Sequence, residues 1–320
     1  MNNKPIVIAH RGACGYLPEH TFPAKAMAHA MAADFIEQDV VLTRDDRAIV
    51  IHDRFLDTTT DVAKRYPERR RDDGRYYAID FTLKEIKSLR VRERFDPATG
   101  LPVYPTRFPF NVDLPFEIPT LEEEIEFIQG MNRSTGREAG IYLELKGPAF
   151  HRHEGKKIEE IVIDILARYG YASADAKCYI QCFEPESLRY MRETMKCDCR
   201  MVQLIGDNTW PETPGVDYHG MMTPQGIEEV AQYAQAIGPW IGHVVKDNDA
   251  EGWAVTDLVS RAHRNGLAVH VFTLRADALP SYAKDFDALM DILFITMGVD
   301  GAFTDFPDKT IRYLHDRGLR

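Results

Sequence analysis

Three apolar runs in this chain end in side chains that could do chemistry. Ile6–Ala9 stops at His10, Arg11 and Gly12, and a buried strand that releases an imidazole and a guanidinium at its C-terminal end suits one wall of an α/β-barrel active site. Within Phe35–Leu42, Glu37 and Asp39 are two residues apart and point to the same face of a strand. Two carboxylates so placed repel each other unless a cation or a proton lies between them. Glu144 and Lys146 repeat the spacing at the end of Ile141–Leu145. Three oxygen ligands with no sulfur near them suit a hard cation, Ca2+ or Mg2+, over zinc. Lys146 would hold a phosphate as a point charge.

His52 follows Ala48–Ile51 and precedes Asp53. If that arm folds over a barrel mouth, His52 faces His10, and two histidines opposed across a metal site are an acid and a base. Gln181 and His270 lie at further strand exits with weaker signals. His151 and His153 have the spacing of zinc hydrolases but follow Pro148 in an expected loop, without the strand that such a site needs. Each feature has a plainer reading taken alone: a satisfied histidine, an exposed acidic pair on a hairpin, a local ion pair. Their recurrence at strand ends favours the chemical one.

The elements that must position these residues alternate, strand then helix. Strands are expected at Ile6–Ala9, Phe35–Leu42, Ala48–Ile51, Ile141–Leu145, Lys177–Gln181, Met201–Leu204, Ala236–Trp240, Ala268–Phe272 and Gly301–Thr304. Helices are expected at Pro23–Ala33, Glu154–Tyr169, Pro185–Met195, Pro224–Gln235, Trp253–Asn265, Tyr282–Phe294 and Asp308–Arg317. That is an α/β chain with eight barrel strands and a hairpin return, a (β/α)8 TIM barrel in one domain over 1–320. With 320 residues it exceeds the ~250 of a plain barrel, so an insertion is expected. The rhythm breaks over residues 54–119, rich in proline and aromatics, which reads as a folded cap. Within it the run Glu68–Asp73 reads as a solvated charged surface.

A net charge of -11 argues against nucleic acid, whose phosphates are held by basic stripes. No run approaches the ~20 apolar residues of a membrane span. Met1–Pro5 is polar and leads into the first strand, so no signal peptide is expected in this chain. The five cysteines, at 14, 178, 182, 197 and 199, have neither zinc nor C-x-x-C spacing and are expected to pack as small hydrophobes.

From strand one to the last helix the chain resembles the glycerophosphodiester phosphodiesterases. The likeness is carried by His10-Arg11-Gly12, Pro18-Glu19-His20-Thr21, Glu37-x-Asp39, His52-Asp53, Asp57-Thr58-Thr59-Thr60, Glu144-x-Lys146 and Thr304-Asp305-Phe306-Pro307. The stretch Asp72–Leu83 is similar to the bacterial periplasmic branch. The resemblance implies a TIM barrel and one divalent cation, Ca2+ ahead of Mg2+, on Glu37, Asp39 and Glu144. It implies His10 and His52 as acid and base, Arg11 and Lys146 on phosphate, and Glu19 in support, with Gln181 and Phe272 among the substrate contacts. The implied reaction releases glycerol 3-phosphate and an alcohol from a small glycerophosphodiester such as glycerophosphocholine or glycerophosphoethanolamine. A monomer or homodimer is expected, in the periplasm by the branch resemblance or else in the cytoplasm. His20, Cys182 and Phe272 stand where many members have Asn, Ser and Trp, which bears on fit more than on competence. Two other readings are a non-enzymatic phosphodiester-binding barrel and a relative acting on lysophospholipids or phosphosugars.

Overall fold

The structure, a computed structural model, describes residues 4–112, 114–248 and 252–320; residues 1–3, where the polar lead-in begins, lie outside them. Among the described residues eleven strands form: β1 Ile6–Ala9, β2 Phe35–Leu42, β3 Ala48–Val50, β4 Gly140–Leu145, β5 Cys178–Cys182, β6 Arg200–Ile205, β7 Ala236–Pro239, β8 Val245–Asn248, β9 Gly252–Val255, β10 Ala268–Leu274 and β11 Gly301–Thr304. Eight are parallel neighbours in the order β1-β11-β10-β7-β6-β5-β4-β2, and β1 pairs again with β2, so the sheet closes into a barrel. The TIM-barrel expectation is met. β3 adds antiparallel to β2, with Val40 opposite Val50.

Two apolar layers follow from the period-two alternation of the strands. Outward residues such as Ile36, Val40, Ile141, Leu143, Ile180 and Met201 pack under the helices. Inward residues Ile8, Phe35, Tyr142, Val202, Ala236 and Phe303 fill the barrel. Tyr142 stacks on Tyr179 with centroids 4.9 Å apart and takes the edges of Phe35 and Phe303. This plug of rings is the floor on which the next inward residues stand. His270 belongs to the floor: it is buried, shares a 2.8 Å hydrogen bond with the Tyr142 hydroxyl, and is no part of the mouth.

Several helix boundaries differ from the sequence expectation. Trp253 lies in the β8–β9 hairpin, and the helix begins only at Leu258. Aromatic and β-branched residues in Gly252–Val255 suit a strand, and the hairpin supplies pairing that a periodicity argument does not see. The helix Leu121–Thr135 was not anticipated, although Thr120 and Glu123 form a capping box at its start, a signal readable from sequence. Pro148–His153 is a short helix rather than a loop, and His151 accepts a hydrogen bond from the Leu42 amide, which leaves it no zinc role.

Residues 54–119 run between β3 and the helix at Leu121 as short turns of helix and isolated bridges. They build a separate apolar cluster in which Leu56, Val62, Tyr76, Phe81, Ile86 and Leu89 pack with Val41, Ile49 and Ile51. The charged run within it is not merely solvated. Arg71 bonds both oxygens of Asp80 at 2.7 Å and Glu154 at 2.8 Å, and Arg69 lies over the Phe81 ring. All five cysteines are buried and free, as expected.

Candidate active site

At the C-terminal ends of the barrel strands a cavity of about 420 Å³ opens. His10, Arg11, Glu37, His52, Glu144, Lys146, Gln181 and Phe272 line it. Asp39 and Glu19 lie behind this wall, bonded to it. The alternation that places Phe35 and Tyr142 in the floor places Glu37 and Asp39 on β2 and Glu144 on β4 directly above, in parallel register with Asp39 opposite Glu144.

One oxygen from each of Glu37, Asp39 and Glu144 lies within 4.8 Å of the others, and all three residues are buried. Burial, then the charges of Asp39 and Glu144, push the Glu37 carboxyl well above the usual carboxylate range. Glu144 is pushed up to about 8 by burial, against the pull of Lys146. Burial would raise Asp39 too, but Lys146, His52 and a hydrogen bond from His20 hold it well below. Asp39 Oδ1 is buried with no hydrogen-bond partner. Three converging desolvated oxygens, one of them unpartnered, fit a hard cation.

Neutral and cationic donors surround these carboxylates. Gln181 Nε2 donates to Glu37 Oε1 at 3.0 Å, and the Arg11 amide donates to Glu37 Oε2 at 2.7 Å. The Arg11 amide reaches it because the chain leaves β1 through two left-handed residues, Arg11 at φ 55° and Gly12 at φ 87°. A Cβ on Gly12 would sit 2.8 Å from the Ala24 backbone, so that turn needs glycine. The Lys146 ammonium lies 2.8 Å from Glu144, 4.0 Å from Asp39 and 3.4 Å from His52 Nε2. Behind Asp39, His20 Nε2 is 2.7 Å from its Oδ2. Lys25, fully buried, lies 3.1 Å from His20 Nδ1 and 3.2 Å from Glu124.

The two histidines are built alike. His10 Nδ1 is 2.6 Å from Asp305 Oδ1, and His52 Nδ1 is 2.6 Å from Asp53 Oδ1. A carboxylate on Nδ1 fixes the tautomer with the proton there and leaves Nε2 as the acceptor; Nε2 of His52 lies 3.4 Å from the Lys146 ammonium and Nε2 of His10 3.9 Å from Glu37 Oε2. Burial first, then Arg11, brings His10 down to about 4; burial, Arg11 and Lys146 do the same to His52. Burial thus favours the neutral ring, the form that accepts a proton.

On the far side of the cavity Phe183, Trp210, Trp240 and Phe272 pack edge to face, with centroids 5.7 to 6.3 Å apart. Sequence reasoning named only Phe272 of this wall. It also missed the partnering roles of Asp305, Asp53, Lys25, Arg94 and Arg107. The His52-Asp53 dipeptide and Thr304-Asp305 were visible as motifs. The others carry no local signal.

Residues 10–309 match the Glycerophosphoryl diester phosphodiesterase family. A glycerophosphodiester phosphodiesterase of Haemophilus influenzae is 43% identical, over 98% of this chain and 91% of its own length. A Silicibacter pomeroyi structure described as a glycerophosphoryl diester phosphodiesterase superposes with a TM-score of 0.72 at 27% identity, covering 99% of this chain and 96% of that one. An Oleispira antarctica phosphodiesterase, solved with its product sn-glycerol-3-phosphate, superposes at 0.64 with 20% identity over 97% of each chain.

Proposed function

Because the chain belongs to the glycerophosphoryl diester phosphodiesterase family, we propose that this mouth cleaves small glycerophosphodiesters, with His10 and His52 as acid and base. The activity is hydrolysis of a glycerophosphodiester to glycerol 3-phosphate and an alcohol, a phosphoric diester hydrolase reaction. The observation that carries the residue assignment is the paired construction of the two histidines, each with a carboxylate on Nδ1 and both lining one cleft.

One imidazole takes a proton from the attacking oxygen, the glycerol 2-hydroxyl or a water, as its new bond to phosphorus forms. The other, entering as the imidazolium, gives its Nε2 proton to the alcohol oxygen as the bond from that oxygen to phosphorus breaks; where the 2-hydroxyl attacks, a water then opens the resulting cyclic phosphate to glycerol 3-phosphate with the two histidine roles exchanged. Each Nδ1–H···carboxylate bond stabilises the imidazolium while it lasts. Arg11 and Lys146 hold the non-bridging oxygens and offset the charge that develops on them. Glu19 and Asp39 fix the Arg11 fork, at 2.9 and 3.7 Å. Glu37, Asp39 and Glu144 would hold one divalent cation, which would supply Lewis-acid stabilisation of a phosphoryl oxygen. Their all-oxygen set fits a hard cation, and the family resemblance puts Ca2+ first with Mg2+ second. The ring wall around Phe272, with Gln181 near Glu37, gives the alcohol an apolar face. Residues 54–119 act as a cap inserted in a single catalytic domain.

Among the described residues no helix is long and apolar enough to cross a membrane. We assign the substrate to small molecules, the chain to a monomer or homodimer, and its site of action to the periplasm.

The test is phosphorus NMR of glycerophosphocholine turnover. The wild type should release glycerol 3-phosphate, and His10→Ala and His52→Ala should each lose ~10²–10⁴ in kcat, the range of general acid–base help. A variant at full rate would remove that histidine from the reaction.

A further inference from the structure

The cap puts a single arginine behind each of the two histidine–carboxylate pairs. Asp305 binds His10 through Oδ1, and its other oxygen, Oδ2, takes Nη2 of Arg107 at 2.6 Å and, from just past β10, Nε of Arg275 at 3.0 Å. Asp53 binds His52 through Oδ1, and its Oδ2 takes Nη1 of Arg94 at 2.7 Å and the Thr58 hydroxyl at 2.5 Å. Each guanidinium is then fixed from outside. Arg107 forks onto Asp277 at 2.8 and 3.0 Å and lies 3.6 Å from the Tyr104 ring centre. Arg94 forks onto Glu19 at 2.9 and 2.6 Å. Arg107 is 4% exposed and Arg94 15% exposed at the side chain.

We propose that Arg94 and Arg107 are positioning residues, each completing an arginine–carboxylate–imidazole chain that aims one of the two histidines at the phosphodiester. This rests on the assignment of His10 and His52 made above. A carboxylate held by one oxygen can swing about its own bond and carry the imidazole with it. Held by both oxygens, and with the arginine itself clamped, its plane is fixed. Misplacing a reacting group by about 1 Å can cost ~10²-fold in rate. Simple latching of the cap does not account for the choice of partners. A buried ion pair contributes little net stability, and a latch could close on any carboxylate of the rim. Both arginines instead take the distal oxygen of the two carboxylates whose near oxygens hold the rings. The two chains start 13 residues apart in sequence and end on histidines from different strands, so one ordered segment sets both.

The test compares Arg107→Met, Arg107→Lys, Asp305→Asn and the double variant Arg107→Met/Asp305→Asn on glycerophosphocholine, with His10→Ala as control. Arg107 touches no phosphate-binding side chain, so Arg107→Met should lower kcat about ten- to a hundredfold with KM within threefold. Arg107→Lys should fall between it and the wild type. The double variant should lose no more than Asp305→Asn alone, because both act through one chain. Full kcat in Arg107→Met, or losses that multiply in the double variant, would overturn the proposal. If Arg107→Met does not fold, Arg107→Lys decides by the same cycle: wild-type kcat there counts against the proposal. Arg94→Met and Arg94→Lys should lower kcat in the same order through Asp53, with KM rising as well because Arg94 also clamps Glu19, which holds Arg11. An inactive His10→Ala beside a full-rate Arg107→Met sinks only this inference; an active His10→Ala sinks the underlying assignment.

Discussion

The barrel mouth and the 54–119 cap supply different things to one site. Glu37, Asp39, Glu144 and Lys146 leave neighbouring parallel strands whose backbone ladder fixes their spacing. Their directions follow from strand alternation, and a local slip would flip them into the outer layer. The cap has little ladder of its own. It is held by a small apolar cluster and by arginine contacts to Asp53, Asp305, Glu19 and Glu154. Regular backbone thus places the three carboxylates of the candidate cation site, while the two arginines behind the histidine carboxylates come from irregular chain that is ordered only by what it touches.

The sharpest way to break that contrast is at the carboxylates. Glu37→Gln or prolonged chelation should abolish turnover by ~10³ or more, with Ca2+ or Mg2+ restoring the chelated wild type; a loss no larger than that of the cap arginines would erase the distinction. A smaller effect is expected from loosening the cap. Phe81 is fully buried in the cap cluster, and Phe81→Ala should cost about 3–5 kcal/mol, read by urea unfolding. The cap should become protease-sensitive first, with kcat falling more than KM rises. If the barrel and cap unfold together with kcat unchanged, the cap is not the separately ordered, aiming element described here.

The smallest expected effect concerns Glu93, buried beside Glu19 with its Oε2 unpartnered. Burial, then Glu19, raises its carboxyl to about 7. A carboxyl raised on folding adds nothing adverse below its ordinary value, near 4.5, and costs stability as pH climbs through 7. Glu93→Gln should therefore be more stable than the wild type by about 1 kcal/mol at pH 8 and equal to it near pH 4.5. Melting curves at the two values check the sign; a gain at low pH instead would place the Glu93 charge among stabilising ones.

Much of the barrel was legible because period-two alternation is a local property. Glu37-x-Asp39 and Glu144-x-Lys146 announce a shared face whatever lies around them. The helix at Leu121 was legible too, through its Thr120–Glu123 capping box, yet lay too close to the irregular segment to stand out. The start of the helix at Leu258 was obscured because Trp253 and Val255 suit a helix face and a strand equally well until a partner strand is present.

The sequence by itself determined the alternation of strands and helices, the acidic pairs and their facing, and the two histidines at strand ends. Only the tertiary structure decided which carboxylate each histidine received. Asp305 reaches His10 across 295 positions because β11 closes on β1. It also decided that Lys25, one lysine in an alanine-rich helix, is buried against Glu124 and His20, and that Arg94 and Arg107 among many arginines reach the mouth. The physical reason is that ion pairs have no period: every arginine of the cap is equivalent along the chain, and only closure of the barrel and packing of the cap against it bring two of them within reach of Asp53 and Asp305.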